Sequence, residues 1–309
     1  MSNRTKVSVC MIAFKVEKYI QKAIEGVLMQ EVDFEIELII SNDNSPDKTG
    51  EIVEKIIETH PRGSWIKYKK QEKNIGSTLN YLWVLENCTG NYVSICDSDD
   101  FWSDPNKLQN QVDFLEGHPE YIASFHNRYM CDENGNVTST SIDENQKRNW
   151  NFEELILRMP EIPSASVVFR KREDFNLPEE FRKVVVNGDT FLWTYLLQFG
   201  DFYYDSTILP SYYRQHSNGL WSSNNSFKKS KLSYNTYLLL KESFPERKSI
   251  NDQLFEIKNN LFYYAFKERE FKIFGKYYFS NLFTCIIRPK YLKSFFRIHK
   301  PLLSRLSGK

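Results

Sequence analysis

The stretch KVSVCMIAF, residues 6–14, decides the fold of this chain. It is a short apolar run with β-branched residues near its start, a pattern that predicts a buried strand. Residues 16–30 follow, with apolar positions at Ile20, Ile24 and Val27. This spacing is that of one face of an amphipathic helix. The chain is therefore predicted to open with a strand followed by a helix.

The same alternation continues through the next 80 or so residues. Further strands are predicted at residues 35–41, 65–70 and 91–96, with helical stretches between them. Strands that alternate with helices build a mainly parallel sheet from βαβ units. In open sheets of this kind, ligands bind beyond the carboxyl ends of the strands. Polar clusters lie at three such ends, so we expect residues 13–17, 42–47 and 97–100 to meet at one crevice.

The rest of the chain changes character towards its C-terminus. The middle part is predicted to hold strands at 121–130, 165–170 and within 201–213, and helices at 150–158 and 189–199. Long helices are predicted at 226–244, 250–269 and 271–282. We therefore expect an α/β domain over residues 1–222 and a helical C-terminal extension over residues 223–309.

Composition excludes several classes of protein. The formal net charge is +1, so there is no field over the whole chain that would attract nucleic acid. Five cysteines without a CxxC pair argue against a disulfide scaffold or a zinc knuckle, and favour a reducing compartment. No secretory signal and no stretch of about 20 apolar residues is evident, so a cytoplasmic location is expected.

The sharpest chemical feature is the run Asp97-Ser98-Asp99-Asp100 directly after a predicted strand. Three carboxylates in four residues repel one another unless cations or hydrogen bonds offset them. Mg²⁺ or Mn²⁺, which often joins carboxylates to a diphosphate, would do so. A solvated acidic turn that caps the next helix is the alternative. An EF-hand is excluded, since Trp102 and Leu108 stand where it needs Gly and Glu.

Taken in order, six segments resemble those of the family-2 glycosyltransferases with the GT-A fold, enzymes that use nucleotide-diphosphate sugars. The segments are residues 7–19, 39–47, 74–80, 97–100, 187–193 and 213–217. The resemblance implies a GT-A-like, Rossmann-related, mainly parallel sheet flanked by helices. It also implies a divalent metal, Mn²⁺ or Mg²⁺, as cofactor.

The resemblance further implies roles for individual residues. Asp43 would accept a hydrogen bond from the imide of uracil, and Asp97 would bind the ribose hydroxyls. Asp99 and His216 would ligate the metal, with a buried structural histidine as the alternative for His216. Asp189 would be the general base, although a plain helix N-cap is also compatible with its position. The remaining residues expected to bind the substrate are Ala13, Phe14, Glu17, Asn74, Gly76, Ser98 and Trp221.

Some positions depart from the family pattern. Asn42 stands where the family often has the first Asp of a pair, Leu79 replaces a frequent Arg, and Gly188 replaces a usual Glu. Trp102 and Trp193 can either stack on sugars or fill the core, whereas Trp221 is the best candidate for a loop that closes over the donor.

The expected function is metal-dependent, inverting transfer of a sugar from a UDP-linked donor to a glycan or lipid-linked acceptor, in bacterial surface polysaccharide synthesis. A sugar nucleotidyltransferase would need a Gly-rich loop after the first strand, and residues 13–17 contain no glycine. A non-catalytic carbohydrate-binding or scaffold protein on the same fold is the other alternative. Intact Asp99, Asp189 and His216 argue against it.

The C-terminal end is basic and aromatic. Residues 271–309 contain no acidic residue but nine Lys or Arg, interleaved with Phe, Tyr, Ile and Leu. Two interpretations remain open. The segment can be amphipathic and bind the anionic inner face of the plasma membrane, or it can be a helical cap or a dimer surface whose charges are solvated. Nucleic-acid binding is not expected, because no known binding module accompanies the charge.

Overall fold

The structure is a computed structural model, and it describes residues 5–139, 141–185, 187–216, 219 and 224–297. Three expectations lie outside the described residues: the role of Trp221, the domain boundary between residues 222 and 223, and the last three basic residues of the C-terminal end.

Strands and helices alternate in the first part of the chain, and helices follow in the last. Within the described ranges the strands are β1 (Lys6–Ala13), β2 (Glu35–Asn42), β3 (Ile66–Lys70), β4 (Tyr92–Ile95), β5 (Tyr121–His126), β6 (Arg128–Cys131), β7 (Val137–Ser139), β8 (Val168–Arg170), β9 (Asp201–Asp205) and β10 (Ser211–Arg214). The α-helices of the same ranges are α1 (Ile20–Leu28), α2 (Thr49–Thr59), α3 (Ser77–Asn87), α4 (Lys107–Gly117), α5 (Phe152–Arg158), α6 (Gly188–Leu196), α7 (Ser226–Ser243), α8 (Lys248–Lys267) and α9 (Phe271–Ile287).

The large sheet has seven strands in the order β3-β2-β1-β4-β8-β5-β9. The pairs β1–β2, β2–β3, β1–β4 and β5–β9 are parallel, while β8 is antiparallel to both β4 and β5. Because β8 is antiparallel to both of its neighbours, β4 and β5 run in the same direction. Strand β9, which is parallel to β5, runs in that direction too. The carboxyl ends of six strands therefore share one edge, and the predicted mainly parallel sheet is confirmed.

Helices cover both faces of this sheet, which is why β1 is a continuous apolar run. Val7, Val9 and Met11 are fully buried and belong to the core cluster that includes residues of α1, α2 and α4. On the opposite face, the Sγ atom of Cys10 lies 3.3 Å from that of Cys88, directly after α3. The helix spacing that predicted α1 is confirmed by the burial of Ile20, Ala23, Ile24 and Val27.

A second, smaller sheet has the order β10-β6-β7. The prediction of one strand over residues 121–130 was wrong, since the chain passes from one sheet to the other at Asn127. The side chain of Asn127 accepts hydrogen bonds from the main-chain N–H groups of Arg128 and Ile142, at 2.9 Å and 3.1 Å. These bonds stabilise the bend, and β6 then pairs in parallel with β10.

The chain forms two compact units. The first comprises residues 1–177 and 192–217 and contains both sheets. The second comprises residues 178–191 and 218–309. The core of this second unit contains Phe255 and Phe262 of α8 and Cys285 of α9, with Tyr291 and Phe295 after them. The predicted helical C-terminal part is confirmed. None of the helices among the described residues combines the length and the apolar character that a membrane crossing requires.

Candidate active site

The loops after β1 and β2 meet at the carboxyl edge of the large sheet. The main-chain N–H of Asp43 donates to the carbonyl of Ala13 at 2.8 Å. The carboxylate of Asp43 accepts from the N–H groups of Ile75 and Gly76, at 2.7 Å and 2.9 Å. The amide of Asn74 donates to the carbonyl of Asp43 at 3.3 Å. Four predicted substrate-binding residues, Ala13, Asp43, Asn74 and Gly76, therefore lie together.

This arrangement fixes the carboxylate of Asp43 but does not use all the acceptor positions of its oxygens. Asp43 is 3% exposed, and each oxygen receives one main-chain N–H in the described contacts. An ionised carboxylate offers about four acceptor positions, so a donor of a ligand can still be accommodated. Gly76 has φ of +86°, a left-handed conformation that favours glycine and that presents its N–H to Asp43.

Two backbone–carboxylate hydrogen bonds hold the β1 loop against the β2 loop. The N–H of Glu17 donates to Oδ2 of Asp47 at 3.2 Å, and the N–H of Lys48 donates to Oε2 of Glu17 at 2.9 Å. Asp47 also accepts from the N–H of Thr49 at 3.2 Å. Glu17 therefore has a structural task in this edge, while the neighbouring Phe14 is 43% exposed beside it.

The acidic run after β4 forms a tight turn in which side chains alternate between inside and outside. The N–H of Asp100 donates to the carbonyl of Asp97 at 3.0 Å. Ser98 and Asp100 are each 4% exposed, whereas Asp97 and Asp99 are partly exposed. Burial, together with the charges of Asp99 and Asp97, raises the pKa of Asp100 well above its usual range. The turn thus presents two carboxylates outward and keeps the third inside.

Arg214, at the end of β10, anchors this turn. Its N–H donates to the carboxylate of Asp100 at 2.9 Å, and its Nε donates to the carbonyl of Asp99 at 3.0 Å. Its Nη1 reaches the carbonyls of Asp132 and Glu133, at 3.2 Å and 2.7 Å. No role was predicted for Arg214. Its signal in the sequence was its place in the segment 213–217 that resembles the family, two residues before the candidate ligand His216.

His216 and Asp99 meet at this point. Nε2 of His216 lies 2.9 Å from Oδ2 of Asp99, and the side chains are 7% and 30% exposed. The ring of Tyr19 packs on the imidazole with 5.0 Å between centroids. The structure therefore brings together the two residues that were predicted as metal ligands.

The pair fits a divalent cation. An imidazole nitrogen and a carboxylate oxygen that lie this close together are compatible donors for Mn²⁺. Among the described residues, no third His, Cys, Asp or Glu completes a cluster of metal-ligating side chains. Mg²⁺ and similar ions commonly use one or two carboxylates together with substrate phosphates and water. Two protein ligands are thus enough for a site that a diphosphate completes.

Asp189 lies in the first turn of α6, within the second unit. The helix follows Asn187, which has φ of +66° and donates from Nδ2 to the hydroxyl of Ser233 at 3.1 Å. Oδ1 of Asp189 accepts from the N–H of Thr190 at 2.7 Å. Burial raises the pKa of the Asp189 carboxyl above its usual range. The side chain is therefore partly buried and more basic than an ordinary aspartate.

Beneath the acidic turn lies a buried cation that the sequence did not reveal. Lys107 is fully buried, and its Nζ donates to Oε1 of Gln111 at 2.8 Å and to the hydroxyl of Ser94 at 3.3 Å. It also lies 4.2 Å from the ring centroid of Trp102. Burial lowers the pKa of Lys107 to about 7. Lys107 thus belongs to a buried polar network between α4 and the large sheet.

Two of the tryptophans considered for sugar stacking are buried in the core. The indole N–H of Trp102 donates to the carbonyl of Ala165 at 2.6 Å. Trp193 is 3% exposed and packs edge-on against Phe202 with 5.7 Å between centroids. Both residues therefore fill the core, which was the alternative to sugar stacking.

Known proteins resemble this chain in sequence. The family model described as "Glycosyl transferase family 2" matches residues 8–172. An uncharacterized protein of Mycobacterium tuberculosis is 30% identical over 220 residues, which is 70% of this chain and 61% of that protein. The minor teichoic acid biosynthesis protein GgaB of Bacillus subtilis is 34% identical over 116 residues, 37% of this chain and 12% of that protein. The chain thus spans about three fifths of the mycobacterial relative.

Solved structures share the fold. S. aureus TarS 1-349 in complex with UDP-GlcNAc has a TM-score of 0.61 at 20% identity, over 84% of this chain and 73% of that chain. The mannosyltransferase PcManGT from Pyrobaculum calidifontis, in complex with GDP-Man and Mn²⁺, has a TM-score of 0.59 at 12% identity, over 98% of this chain and 81% of that chain. These likenesses establish a GT-A fold, and the family model matches more than half of the sequence. The chain belongs to glycosyl transferase family 2.

Proposed function

We propose that this chain moves a sugar from a UDP-linked donor to a hydroxyl of a glycan or lipid-linked acceptor, with inversion at the anomeric carbon. Family membership supports glycosyl transfer. The likeness to a teichoic acid biosynthesis protein supports a surface polymer as the setting, and the fold shared with a UDP-GlcNAc complex supports a UDP-linked donor. Residues 1–222 are the proposed catalytic domain, and residues 223–309 are its helical extension.

One observation carries the proposal: Nε2 of His216 and Oδ2 of Asp99 are 2.9 Å apart. A divalent cation bound by this pair would act as a Lewis acid and offset the charge that develops on the departing diphosphate. Asp43, held by two main-chain N–H groups, is proposed to accept from the base of the nucleotide. Asp97 is proposed to receive the ribose hydroxyls.

The chemistry needs a base for the acceptor. We assign this role to Asp189, because burial raises its pKa towards the range in which a carboxylate removes a proton effectively. Asp189 takes the proton of the acceptor hydroxyl, and the oxygen of that hydroxyl attacks the anomeric carbon. The bond from that carbon to the diphosphate oxygen breaks, and the nucleoside diphosphate leaves. A single displacement of this kind inverts the anomeric configuration and needs no covalent intermediate.

Binding of UDP tests the donor half of the proposal. Thermal unfolding is followed with UDP alone, Mn²⁺ alone, both together, and both with EDTA. We expect a large rise in the unfolding temperature only with UDP and Mn²⁺ together, and its loss with EDTA. GDP at the same concentration is the matched control. The absence of any shift at millimolar UDP and Mn²⁺ would contradict the proposed site.

A panel of nucleotide sugars tests the reaction. We expect slow hydrolysis of one UDP-sugar, with release of UDP and a sugar of inverted anomeric configuration, before any acceptor is identified. Formation of pyrophosphate from UTP and a sugar 1-phosphate would instead favour a nucleotidyltransferase. UDP binding without turnover of any donor would favour a non-catalytic carbohydrate-binding protein.

A further inference from the structure

Helix α9 has two apolar faces, and the described residues of the second unit cover only one of them. On the inner face Asn281 and Cys285 are buried, and Tyr278 packs on the core cluster that contains Phe262. The Nδ2 of Asn281 also donates to Oδ1 of the buried Asn259 on α8, at 2.8 Å. This face therefore docks α9 firmly on α8.

The outer face carries large apolar side chains that are exposed. Phe279, Phe283, Ile286 and Ile287 are 67%, 63%, 70% and 62% exposed. Their spacing of i, i+4, i+7 and i+8 places them on one stripe of the helix. Phe296, nine residues beyond the end of α9 in the helical segment 292–297, is a further exposed ring at 57%. Contiguous exposed apolar side chains of this kind mark an interaction surface.

Basic residues surround this stripe, and acidic ones are missing from the same segment. Residues 271–309 contain no Asp or Glu. Lys290 pairs with Asp252 of α8 at 2.6 Å, and Arg297 pairs with Glu256 at 3.3 Å. Four further exposed cations flank the stripe at its two ends: Lys272, Lys276, Arg288 and Lys293. By helical spacing, Lys272 and Lys276 lie on the same side of α9 as Phe279 and Phe283.

These features decide between the possible occupants. A second copy of the chain on this face, related by a two-fold axis, would bring the cations of both copies together with no acidic residue of the segment to offset them. An anionic lipid surface matches both the apolar stripe and the cations beside it. The aromatic and aliphatic side chains enter the headgroup boundary, while the cations meet lipid phosphates. The long Lys and Arg side chains can reach back to the headgroups.

We propose that the outer face of α9, defined by Phe279, Phe283, Ile286 and Ile287 with the flanking Lys272, Lys276, Arg288 and Lys293, docks this protein on an anionic membrane surface. The helix lies along the surface and does not cross it. Binding does not depend on the proposed sugar transfer, because it can be measured with neither donor nor acceptor. If the proposed transfer is also correct, this surface holds the enzyme where a lipid-linked acceptor resides.

Sedimentation with vesicles tests the proposal on the full chain. Vesicles are made of phosphatidylcholine, with and without phosphatidylglycerol. We expect binding only to the anionic vesicles, and weakening with added NaCl. The double variant Phe279→Gln/Phe283→Gln is expected to bind at least roughly tenfold more weakly. Lys272→Gln/Lys276→Gln is expected to lose about tenfold as well.

The controls are matched to the two kinds of change. Leu157→Gln removes an apolar side chain that is 48% exposed on α5, and Lys228→Gln/Lys231→Gln removes two exposed cations on α7. Both are expected to bind like the wild type. Deleting residues 289–309 is a poorer test, because it would also remove the buried Tyr291 and Phe295.

Three results would overturn the proposal. The first is wild-type binding that does not distinguish anionic from zwitterionic vesicles. The second is unchanged vesicle binding by Phe279→Gln/Phe283→Gln, with or without a lower unfolding temperature. The third is a dimer in solution that this double variant converts to a monomer, since a second copy would then cover the face. Failure here would leave UDP binding, and hence the proposed function, untouched.

Discussion

Oδ2 of Asp99 lies 2.9 Å from Nε2 of His216, although 117 residues separate them in the chain. Asp99 follows β4 of the large sheet, and His216 follows β10 of the small sheet. A two-way backbone bridge joins the segments, since the N–H of Phe101 donates to the carbonyl of Tyr212 at 3.2 Å and the reverse bond is 2.9 Å. The pair is therefore fixed by main-chain pairing between the two sheets.

Removing either proposed metal ligand should strongly weaken metal-dependent nucleotide binding. We expect Asp99→Asn and His216→Gln to weaken UDP binding in the presence of Mn²⁺ by at least about 100-fold, since each loses a donor atom to the cation. Titration calorimetry with UDP, with and without Mn²⁺, measures the effect. Asp113→Asn, an aspartate on α4 that bonds only Gln109 in the described contacts, is the control. Full Mn²⁺-dependent binding by Asp99→Asn would remove Asp99 as a ligand.

Asp189→Asn should separate catalysis from binding. Loss of a general base is expected to lower kcat by about 10²–10⁴-fold, while the affinity for UDP with Mn²⁺ stays near the wild-type value. Because burial raises the pKa of Asp189, the wild-type rate should fall as the pH drops through this raised value. The pH profile of the rate of the variant should lack this fall at low pH. Turnover at the wild-type rate would exclude Asp189 as the base.

Arg214→Lys should disturb the acidic turn without removing any carboxylate. The guanidinium donates to the carbonyls of Asp99, Asp132 and Glu133, and a lysine cannot reach all three. A hydrogen bond from a charged donor contributes about 1.5–3 kcal/mol to the free energy of unfolding, so the loss of one or two of these bonds should lower the stability. We also expect weaker binding of UDP with Mn²⁺, a change that a purely structural role far from the site would not cause.

The control for this variant is Arg172→Lys, which changes an exposed arginine paired with Asp174 at 2.8 Å. Because an exposed ion pair of this kind contributes little to stability, the stability and the UDP affinity of this variant should stay close to those of the wild type. If Arg214→Lys lowers stability but binds UDP and Mn²⁺ normally, Arg214 does not position the turn.

Much of the fold follows from local patterns. Strands β1, β2 and β4 are short apolar runs that need cover on both faces, and this requirement alone predicts a parallel sheet with helices on either side. The break at Asn127 does not follow, because residues 121–130 carry no local signal for it. The break depends on pairing with β10, more than 80 residues later, and a pattern within one segment does not encode its distant partner.

The candidate site divides in the same way. Asp43 and Asp99 follow predicted parallel strands, so the sequence predicted that both lie at one edge of the sheet, while the family resemblance alone implied that His216 acts with Asp99. Arg214 was missed because its acceptors are main-chain carbonyls of distant loops, which no sequence pattern displays. The bond between Glu17 and the Lys48 N–H was missed for the same reason. Lys107 was missed because a lysine at a helix start normally faces solvent.

Lys107 also makes the stability of the fold depend on pH in a direction that can be tested. Burial lowers the pKa of Lys107 from 10.5 to about 7, with Cys96 and Asp104 as the nearby groups that favour its charged form. Between these two values the unfolded chain binds one more proton than the folded chain. The free energy of unfolding therefore rises with pH in this window, and the cost of the buried charge is fully present below it.

We expect Lys107→Met to remove this dependence. Relative to the variant, the wild type should gain about 1 kcal/mol in the free energy of unfolding for each pH unit between about pH 7.5 and 9.5. The titration of one group sets the maximum of this slope. Urea unfolding of both proteins across this range gives the difference directly, and the other titrating groups cancel. Lys55→Met, a change at an exposed lysine on α2, should give a curve parallel to the wild type. Parallel curves for Lys107→Met would mean that the buried amine keeps its charge throughout.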